Sequence, residues 1–119
     1  MPKKILVIDD EKNMRDLIAI NFKGKGFDVI TAANGDEGLK VFEKEKPDLV
    51  LADVVMPDTD GFDICRTIKK NHPFTKVIVY TGNVDAVDAS TARMVGADDF
   101  VAKTGDLNYL IKSALKLTA

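Results

Sequence analysis

The chain alternates along its whole length between short apolar, β-branched runs and longer segments whose apolar residues recur every three or four positions. Runs of the first kind are typical of buried β-strands, and the longer segments are typical of amphipathic helices. Five of each follow one another in strict order, which predicts a (βα)5 chain. The predicted strands are Lys4 to Asp9, Phe27 to Ala32, Asp48 to Asp53, Lys76 to Thr81 and Asp99 to Lys103.

Strict alternation with short connections predicts a parallel sheet, because each helix must return the chain across the sheet by a right-handed crossover. Helices then cover both faces, giving a doubly wound α/β sandwich of three layers. The first, third and fourth runs are almost continuously apolar, as expected of central strands, whereas the second alternates as an edge strand does. In such sheets ligands bind beyond the carboxyl ends of the strands, where the strand order reverses.

Composition limits the classes of function. With 119 residues and 45% hydrophobic content, residues 1–119 are expected to form one domain. A net charge of −2 gives no general attraction to nucleic acid or to an anionic membrane, so neither is expected as a partner. The single Cys65 cannot form an internal disulfide, and no apolar run is long enough for a signal peptide or a membrane span. These features predict a cytoplasmic protein.

Charged and hydroxyl side chains end four of the predicted strands: Asp9 and Asp10 the first, Asp53 the third, Thr81 the fourth and Lys103 the fifth. In a sheet of order 2-1-3-4-5 they converge on one edge. Three neighbouring carboxylates repel one another unless a cation is bound, and Mg²⁺ suits one or two carboxylates plus phosphate oxygens. Any one aspartate alone could be a helix cap, and the lysine alone could be solvated. The set of five indicates a functional site.

Four stretches, "ILVIDDE", "PDLVLADVVMPDTDG", "VIVYTG" and "GADDFVAK", together resemble the receiver domain of two-component response regulators over essentially the whole chain. The resemblance implies a CheY-like, flavodoxin-like fold, and the strand order assumed above is that of this family, so it is not an independent derivation. It also implies a signalling switch rather than an enzyme. The expected partners are a histidine kinase or phosphotransfer protein and an effector that the sequence does not identify.

The resemblance also implies roles for particular residues. Asp53 matches the phosphoacceptor, Asp10 a direct Mg²⁺ ligand, and Asp9 the neighbouring acid that orients metal-bound water. The backbone carbonyl of Val55 matches a further Mg²⁺ ligand.

Other matching positions concern the response to phosphorylation. Thr81 matches the switch hydroxyl, Lys103 the lysine that contacts the phosphoryl group, and Phe100 the switch aromatic, although Phe100 could equally be plain core. Val55 and Asn83 match positions that tune the lifetime of the phosphoryl group. The fourth helix, fifth strand and fifth helix would form the surface that partners read, and a phosphorylation-dependent dimer could use it.

Three alternatives remain open. A phosphorylation-independent binding module of the same fold usually lacks one of the five residues. An aspartate-nucleophile phosphohydrolase needs an acid two residues after the nucleophile, where this chain has Val55. A flavin-binding electron carrier needs a phosphate loop after the first strand, where "DDEKN" would repel the phosphate.

The sequence departs from the family at Thr104, where a proline usually follows the lysine through a cis bond. A cis bond before threonine would cost about 2.5–4 kcal/mol, against roughly 0.5–1 kcal/mol before proline. We therefore expect a trans Lys103–Thr104 bond, with Gly105 absorbing the altered path of the loop.

Overall fold

The computed structural model describes residues 2–82, 86–103 and 107–119. Within them, strands and helices alternate as predicted, five of each. The strands are β1 (Lys4–Ile8), β2 (Asp28–Ala32), β3 (Leu49–Asp53), β4 (Lys76–Thr81) and β5 (Asp99–Ala102). The helices are α1 (Lys12–Lys23), α2 (Gly35–Glu45), α3 (Gly61–Asn71), α4 (Ala86–Met94) and α5 (Asn108–Leu117).

All four strand pairings are parallel, and the sheet order is β2-β1-β3-β4-β5, which confirms the predicted fold class. The three central strands are buried almost throughout, because helices cover both of their faces. β2 is an edge strand, and its first four residues are exposed or half-buried. The alternating pattern of its sequence therefore reflects its position.

Two apolar clusters lie on opposite faces of the sheet. One joins β1, β3 and β4 to α2, α3 and α4 and includes Phe42 and the buried Cys65. The other joins the opposite faces of the strands to α1 and α5 and includes Phe22 and Tyr80. Because successive side chains of a strand point to opposite faces, Val79 and Tyr80 belong to different clusters.

Helix ends match local sequence chemistry only in part. The side chain of Asn34 caps α2 by accepting a hydrogen bond from the Glu37 N–H at 2.9 Å. At α1 the cap residue is Glu11, which makes no capping bond through its side chain. Asp10 therefore does not cap α1, and the alternative that this carboxylate is a helix cap is wrong. Among the helices in the described ranges, none has both the length and the apolar character needed to cross a membrane.

Candidate functional site

The five polar residues at the strand ends lie together at the carboxyl edge of the sheet. β1 ends at Ile8 and β5 at Ala102, so Asp9 and Lys103 are the first residues beyond their strands rather than the last residues within them. Main-chain bonds nevertheless hold both: the Asp9 N–H donates to the Ala32 carbonyl at 3.1 Å, and the Lys103 N–H donates to the Thr81 carbonyl at 2.7 Å. Their side chains are thus anchored to the sheet.

An open cavity of about 390 Å³ lies at this edge. Four of the five predicted residues line it, and the fifth, Asp9, is completely buried beneath it. The lining residues are Asp10, Glu11, Asp53, Val55, Thr81, Gly82 and Lys103.

The Lys103 ammonium occupies the centre of the charged cluster. Its Nζ lies 2.9 Å from Oδ2 of Asp53, 3.1 Å from Oδ2 of Asp9 and 3.2 Å from Oε1 of Glu11. Burial disfavours this ammonium, but its hydrogen bonds to Asp53 and Asp9 outweigh burial and hold the pKa of Lys103 above its ordinary value. Lys103 is therefore charged at neutral pH and offsets part of the repulsion among the carboxylates.

Asp53 is nearly buried at the end of β3. Its Oδ1 accepts a hydrogen bond from the Val55 N–H at 3.2 Å, and its Oδ2 accepts one from Lys103. Burial raises the pKa of the Asp53 carboxyl above its ordinary value, and the hydrogen bond from Lys103 offsets this only in part. A carboxylate in this setting gains from additional positive charge, which a metal ion would supply.

Asp9 has a different environment, with no exposed surface. Its Oδ1 accepts a hydrogen bond from the Glu11 N–H at 2.8 Å, and its Oδ2 accepts one from the Tyr80 hydroxyl in addition to the Lys103 contact. Both carboxylate oxygens are therefore bonded within the protein. Asp10, by contrast, is exposed at the mouth of the cavity.

The carboxylates could hold a metal ion. One oxygen from each of Asp9, Asp10 and Asp53 lies within 4.8 Å of the others. Hard oxygen donors of this kind suit Mg²⁺, which takes one or two carboxylates and fills its other positions with water, carbonyl or phosphate oxygens. The donor chemistry therefore fits the predicted ion.

The segment that follows Asp53 is tied to two other parts of the chain. Val55 pairs with Asp60 in an isolated antiparallel bridge, and its side chain is largely exposed beside the cavity. The Asp58 carboxylate accepts hydrogen bonds from the Gly35 and Asp36 N–H groups, both at 3.1 Å, at the start of α2. These contacts fix the main chain that carries the Val55 carbonyl.

Of the two described residues proposed to respond to phosphorylation, Thr81 lines the cavity and Phe100 does not. Thr81 is buried, while Phe100 is half-buried against the apolar cluster of α2, α3 and α4, with its ring centroid 6.3 Å from that of Phe62. Asn83 and the Lys103–Thr104 bond, together with Gly105, lie outside the described residues. The expectations for those positions remain predictions.

Sequence reasoning missed two members of the site, Glu11 and Tyr80. Glu11 reads as the start of a helix, and nothing in its spacing places it near Lys103. Tyr80 gave a usable signal, because a hydroxyl in an otherwise apolar central strand needs a buried hydrogen-bond partner. Its register also puts it directly opposite Asp53.

Comparisons with known proteins agree with this geometry. The model of the response regulator receiver domain family matches residues 5–115. The alkaline phosphatase synthesis transcriptional regulatory protein PhoP of Bacillus subtilis is 36% identical over 119 residues, which cover 98% of this chain and 50% of PhoP. The probable transcriptional regulator ycf27 of Cyanophora paradoxa is 39% identical over 119 residues, covering 98% and 49%. The chain thus spans about half the length of these curated relatives.

Solved structures give the same picture. The response regulator protein TrrA from Thermotoga maritima, in complex with Mg(2+)-BeF, superimposes with a TM-score of 0.89 at 33% identity and covers 97% of this chain and 98% of its own. The chemotaxis protein CheY4 of Vibrio cholerae gives a TM-score of 0.93 at 25% identity, covering 98% and 99%.

Proposed function

Because this chain belongs to the response regulator receiver domain family, we propose that it is a Mg²⁺-dependent switch that accepts a phosphoryl group on Asp53. The observation that carries the proposal is the contact of Lys103 with Asp53 inside a cluster of three carboxylates whose oxygens lie within 4.8 Å. This arrangement pairs one buried nucleophilic carboxylate with a fixed cation and leaves room for a second cation.

The reaction needs few groups from the protein. A carboxylate oxygen of Asp53 forms a bond to phosphorus while the bond from phosphorus to the donor's imidazole nitrogen breaks, and the imidazole leaves with the electron pair. Lys103 neutralises charge on the transferred group, which is where most of the rate enhancement in phosphoryl transfer arises. Bound Mg²⁺ would supply further charge neutralisation at the same oxygens.

The proposed metal ligands are Asp10, Asp53 and the Val55 carbonyl, with Asp9 acting through water. Asp10 is exposed and lines the cavity, so its oxygens are accessible to an ion. Asp9 is buried with both oxygens hydrogen-bonded, which favours an indirect contact for this residue.

The proposed output is a change at α4, β5 and α5. A phosphorylated Asp53 carries more negative charge and more acceptor oxygens than the carboxylate it replaces. The Thr81 hydroxyl would turn toward it, and Phe100 would fill the space that Thr81 leaves. Partners that prefer one of the two states would bind this face and shift the population.

Several wider aspects belong to the same proposal. Residues 1–119 would form one receiver domain that acts as a switch and catalyses no reaction on a separate substrate. A histidine kinase or phosphotransfer protein would supply the phosphoryl group, and an effector or a second copy would read the face formed by α4, β5 and α5. Val55 and Asn83 would influence how long the phosphoryl group persists. The cytoplasmic location stays a prediction.

The test is phosphorylation by acetyl phosphate in the presence of Mg²⁺, read by intact-protein mass spectrometry. The wild-type chain should gain one phosphoryl group, and Asp53→Ala should gain none. Asp28→Ala, an exposed aspartate at the opposite end of the sheet, is the matched control and should react as the wild type does. Modification that persists in Asp53→Ala would overturn the assignment, as would the absence of modification in wild-type protein that binds Mg²⁺. The second result would favour the phosphorylation-independent module.

A further inference from the structure

We propose that Tyr80 is a positioning residue of the magnesium site, because its hydroxyl fixes the Asp9 carboxylate and its ring lies beneath the Lys103 ammonium. The inference rests on the proposed function and adds a residue that the family resemblance did not assign. It starts from one contact, in which the Tyr80 hydroxyl donates a hydrogen bond to Oδ2 of Asp9.

Tyr80 reaches Asp9 from within the core. Its side chain is almost completely buried in the cluster that joins the sheet to α1 and α5. The close packing of that cluster leaves the ring little freedom to rotate, so the direction of the hydroxyl is set by the fold. A rigid donor of this kind orients an acceptor better than a flexible surface side chain does.

The same ring contacts the cation of the site. Nζ of Lys103 lies 5.0 Å from the centroid of the Tyr80 ring, within the range of a cation–π interaction. Tyr80 therefore touches both Asp9 and Lys103, two residues of opposite charge that meet at 3.1 Å.

The consequence concerns the direction in which Asp9 can act. With Oδ1 held by the Glu11 N–H and Oδ2 held by Tyr80, the carboxylate cannot swing toward a metal ion without losing a buried hydrogen bond. It is thereby kept in place to accept a hydrogen bond from a water molecule on the ion. Groups that orient a metal's ligands from behind commonly change metal affinity about 10- to 100-fold when they are removed; Asp9 would be such a group for the metal-bound water, and Tyr80 acts through Asp9.

The hydroxyl also matters when Lys103 changes partner. Contact with a phosphoryl group on Asp53 would draw the ammonium away from Asp9, whose carboxylate has no exposed surface. Because the Tyr80 hydroxyl continues to donate to Oδ2, Asp9 would keep a partner on each oxygen when the lysine moves. The Tyr80 hydroxyl would thus let Lys103 move without leaving a buried Asp9 oxygen unpaired.

The experiment compares Tyr80→Phe with Tyr109→Phe. The first variant keeps the ring under Lys103 and removes only the hydroxyl, and the second removes the hydroxyl of the chain's other tyrosine, which is exposed on α5. Mg²⁺ affinity is measured by calorimetry on the metal alone, and the phosphorylation rate with acetyl phosphate is measured across a range of Mg²⁺ concentrations.

For Tyr80→Phe we expect Mg²⁺ binding to weaken about 10-fold, at the lower end of that range, because the hydroxyl acts on the metal-bound water through Asp9. The Mg²⁺ concentration that gives half the maximal rate should rise by the same factor, while the rate at saturating Mg²⁺ should change much less. Tyr109→Phe should match the wild type in both measurements. A folded Tyr80→Phe protein with wild-type Mg²⁺ affinity overturns the inference and leaves the proposed function intact. Wild-type protein that neither binds Mg²⁺ nor accepts a phosphoryl group overturns the proposed function itself.

A measurement on the unaltered side chain covers the case in which Tyr80→Phe does not fold. The buried Tyr80 hydroxyl proton should exchange slowly enough to be observed by NMR, with Tyr109→Phe used to assign it. Its resonance should shift as Mg²⁺ is added, with a midpoint equal to the calorimetric dissociation constant. A resonance that stays fixed while Mg²⁺ saturates the site contradicts the proposed coupling.

Discussion

Gly61 packs directly against the main chain of Asp53, so that a Cβ atom at Gly61 would lie 2.4 Å from the Asp53 carbonyl oxygen and 2.9 Å from its carbonyl carbon. Both of those atoms belong to the backbone and cannot rotate aside as a side chain would. The first residue of α3 is therefore fitted to the residue proposed to carry the phosphoryl group.

Gly61→Ala should consequently lower both stability and phosphorylation. Overpacking of this kind typically costs about 1–3 kcal/mol, and relief of the clash would displace Asp53. Urea unfolding gives the first quantity, and the rate of modification by acetyl phosphate gives the second. Gly24→Ala is a suitable control, because a Cβ there would meet only carbonyl oxygens at 3.4 and 3.5 Å. A Gly61→Ala protein as stable as Gly24→Ala would contradict the predicted clash.

Lys103→Met should slow phosphoryl transfer without preventing Mg²⁺ binding. The substitution keeps much of the apolar stem but removes the charge that lies 2.9 Å from Asp53. Loss of one fixed donor to a developing anion commonly reduces the rate about 10²- to 10³-fold. Phosphorylation is followed by mass spectrometry at saturating Mg²⁺, with circular dichroism to establish folding. Lys112→Met, on the exposed side of α5, is the control and should react at the wild-type rate. If Lys103→Met also reacts at that rate, Lys103 does not take part in phosphoryl transfer.

Mg²⁺ should raise the unfolding temperature of the wild-type chain, and EDTA should reverse the effect. Because the ion binds the assembled site, a concentration 100 times its dissociation constant adds about 2.7 kcal/mol of stability. Asp10→Asn should unfold at a higher temperature than the wild type without metal, because one of three repelling carboxylates is neutralised, and should gain little from Mg²⁺. Asp28→Asn should keep the full response. Equal responses of Asp10→Asn and Asp28→Asn would argue against Asp10 as a ligand.

Cys65 should be inert to thiol reagents in the folded protein. Its side chain is completely buried, and burial raises the pKa of the thiol to about 11. The neutral thiol therefore predominates at all moderate pH values. Because folding raises the pKa of the Cys65 thiol, the full free energy of unfolding is kept at a pH below the pKa of this thiol in the unfolded chain. The free energy of unfolding then falls as the pH rises to about 11, because the unfolded chain releases this proton more readily than the folded one. Labelling by iodoacetamide at pH 8 should be slow until denaturant unfolds the chain, and rapid labelling of native protein would contradict this burial.

The layout of the site could be predicted from sequence because it follows from topology. Once the strands are parallel, residues at their carboxyl ends must share one edge of the sheet, and the strand order that the family resemblance implies then brings Asp9, Asp53, Thr81 and Lys103 together. The sequence pattern also distinguished β2, one of the two edge strands, from the central strands, since an apolar residue at every position indicates burial on both faces.

The contacts among these side chains were not predictable in the same way. The hydrogen bond from Tyr80 on β4 to Asp9, just beyond β1, joins residues 71 positions apart, and β1 and β4 are not neighbours. It depends on how a large ring fills the core. The sequence predicts only that Asp58 lies in a loop. Its hydrogen bonds to the start of α2 depend on where the segment between β3 and α3 lies relative to α2. Periodicity assigns a residue to a face or an edge and does not determine its partners.

The opposite directions of neighbouring side chains on β4 restrict how homologous sequences can vary in length. Tyr80 faces the α1 and α5 layer, whereas Val79 and, by the same alternation, Thr81 face the layer of α2, α3 and α4. A single-residue insertion or deletion inside this strand would exchange those faces. The Tyr80 hydroxyl would then lie on the side of α2, α3 and α4, where it could not donate to Asp9. Relatives that retain the Tyr80 contact are therefore expected to carry their length differences outside β4, in turns such as the one after α3.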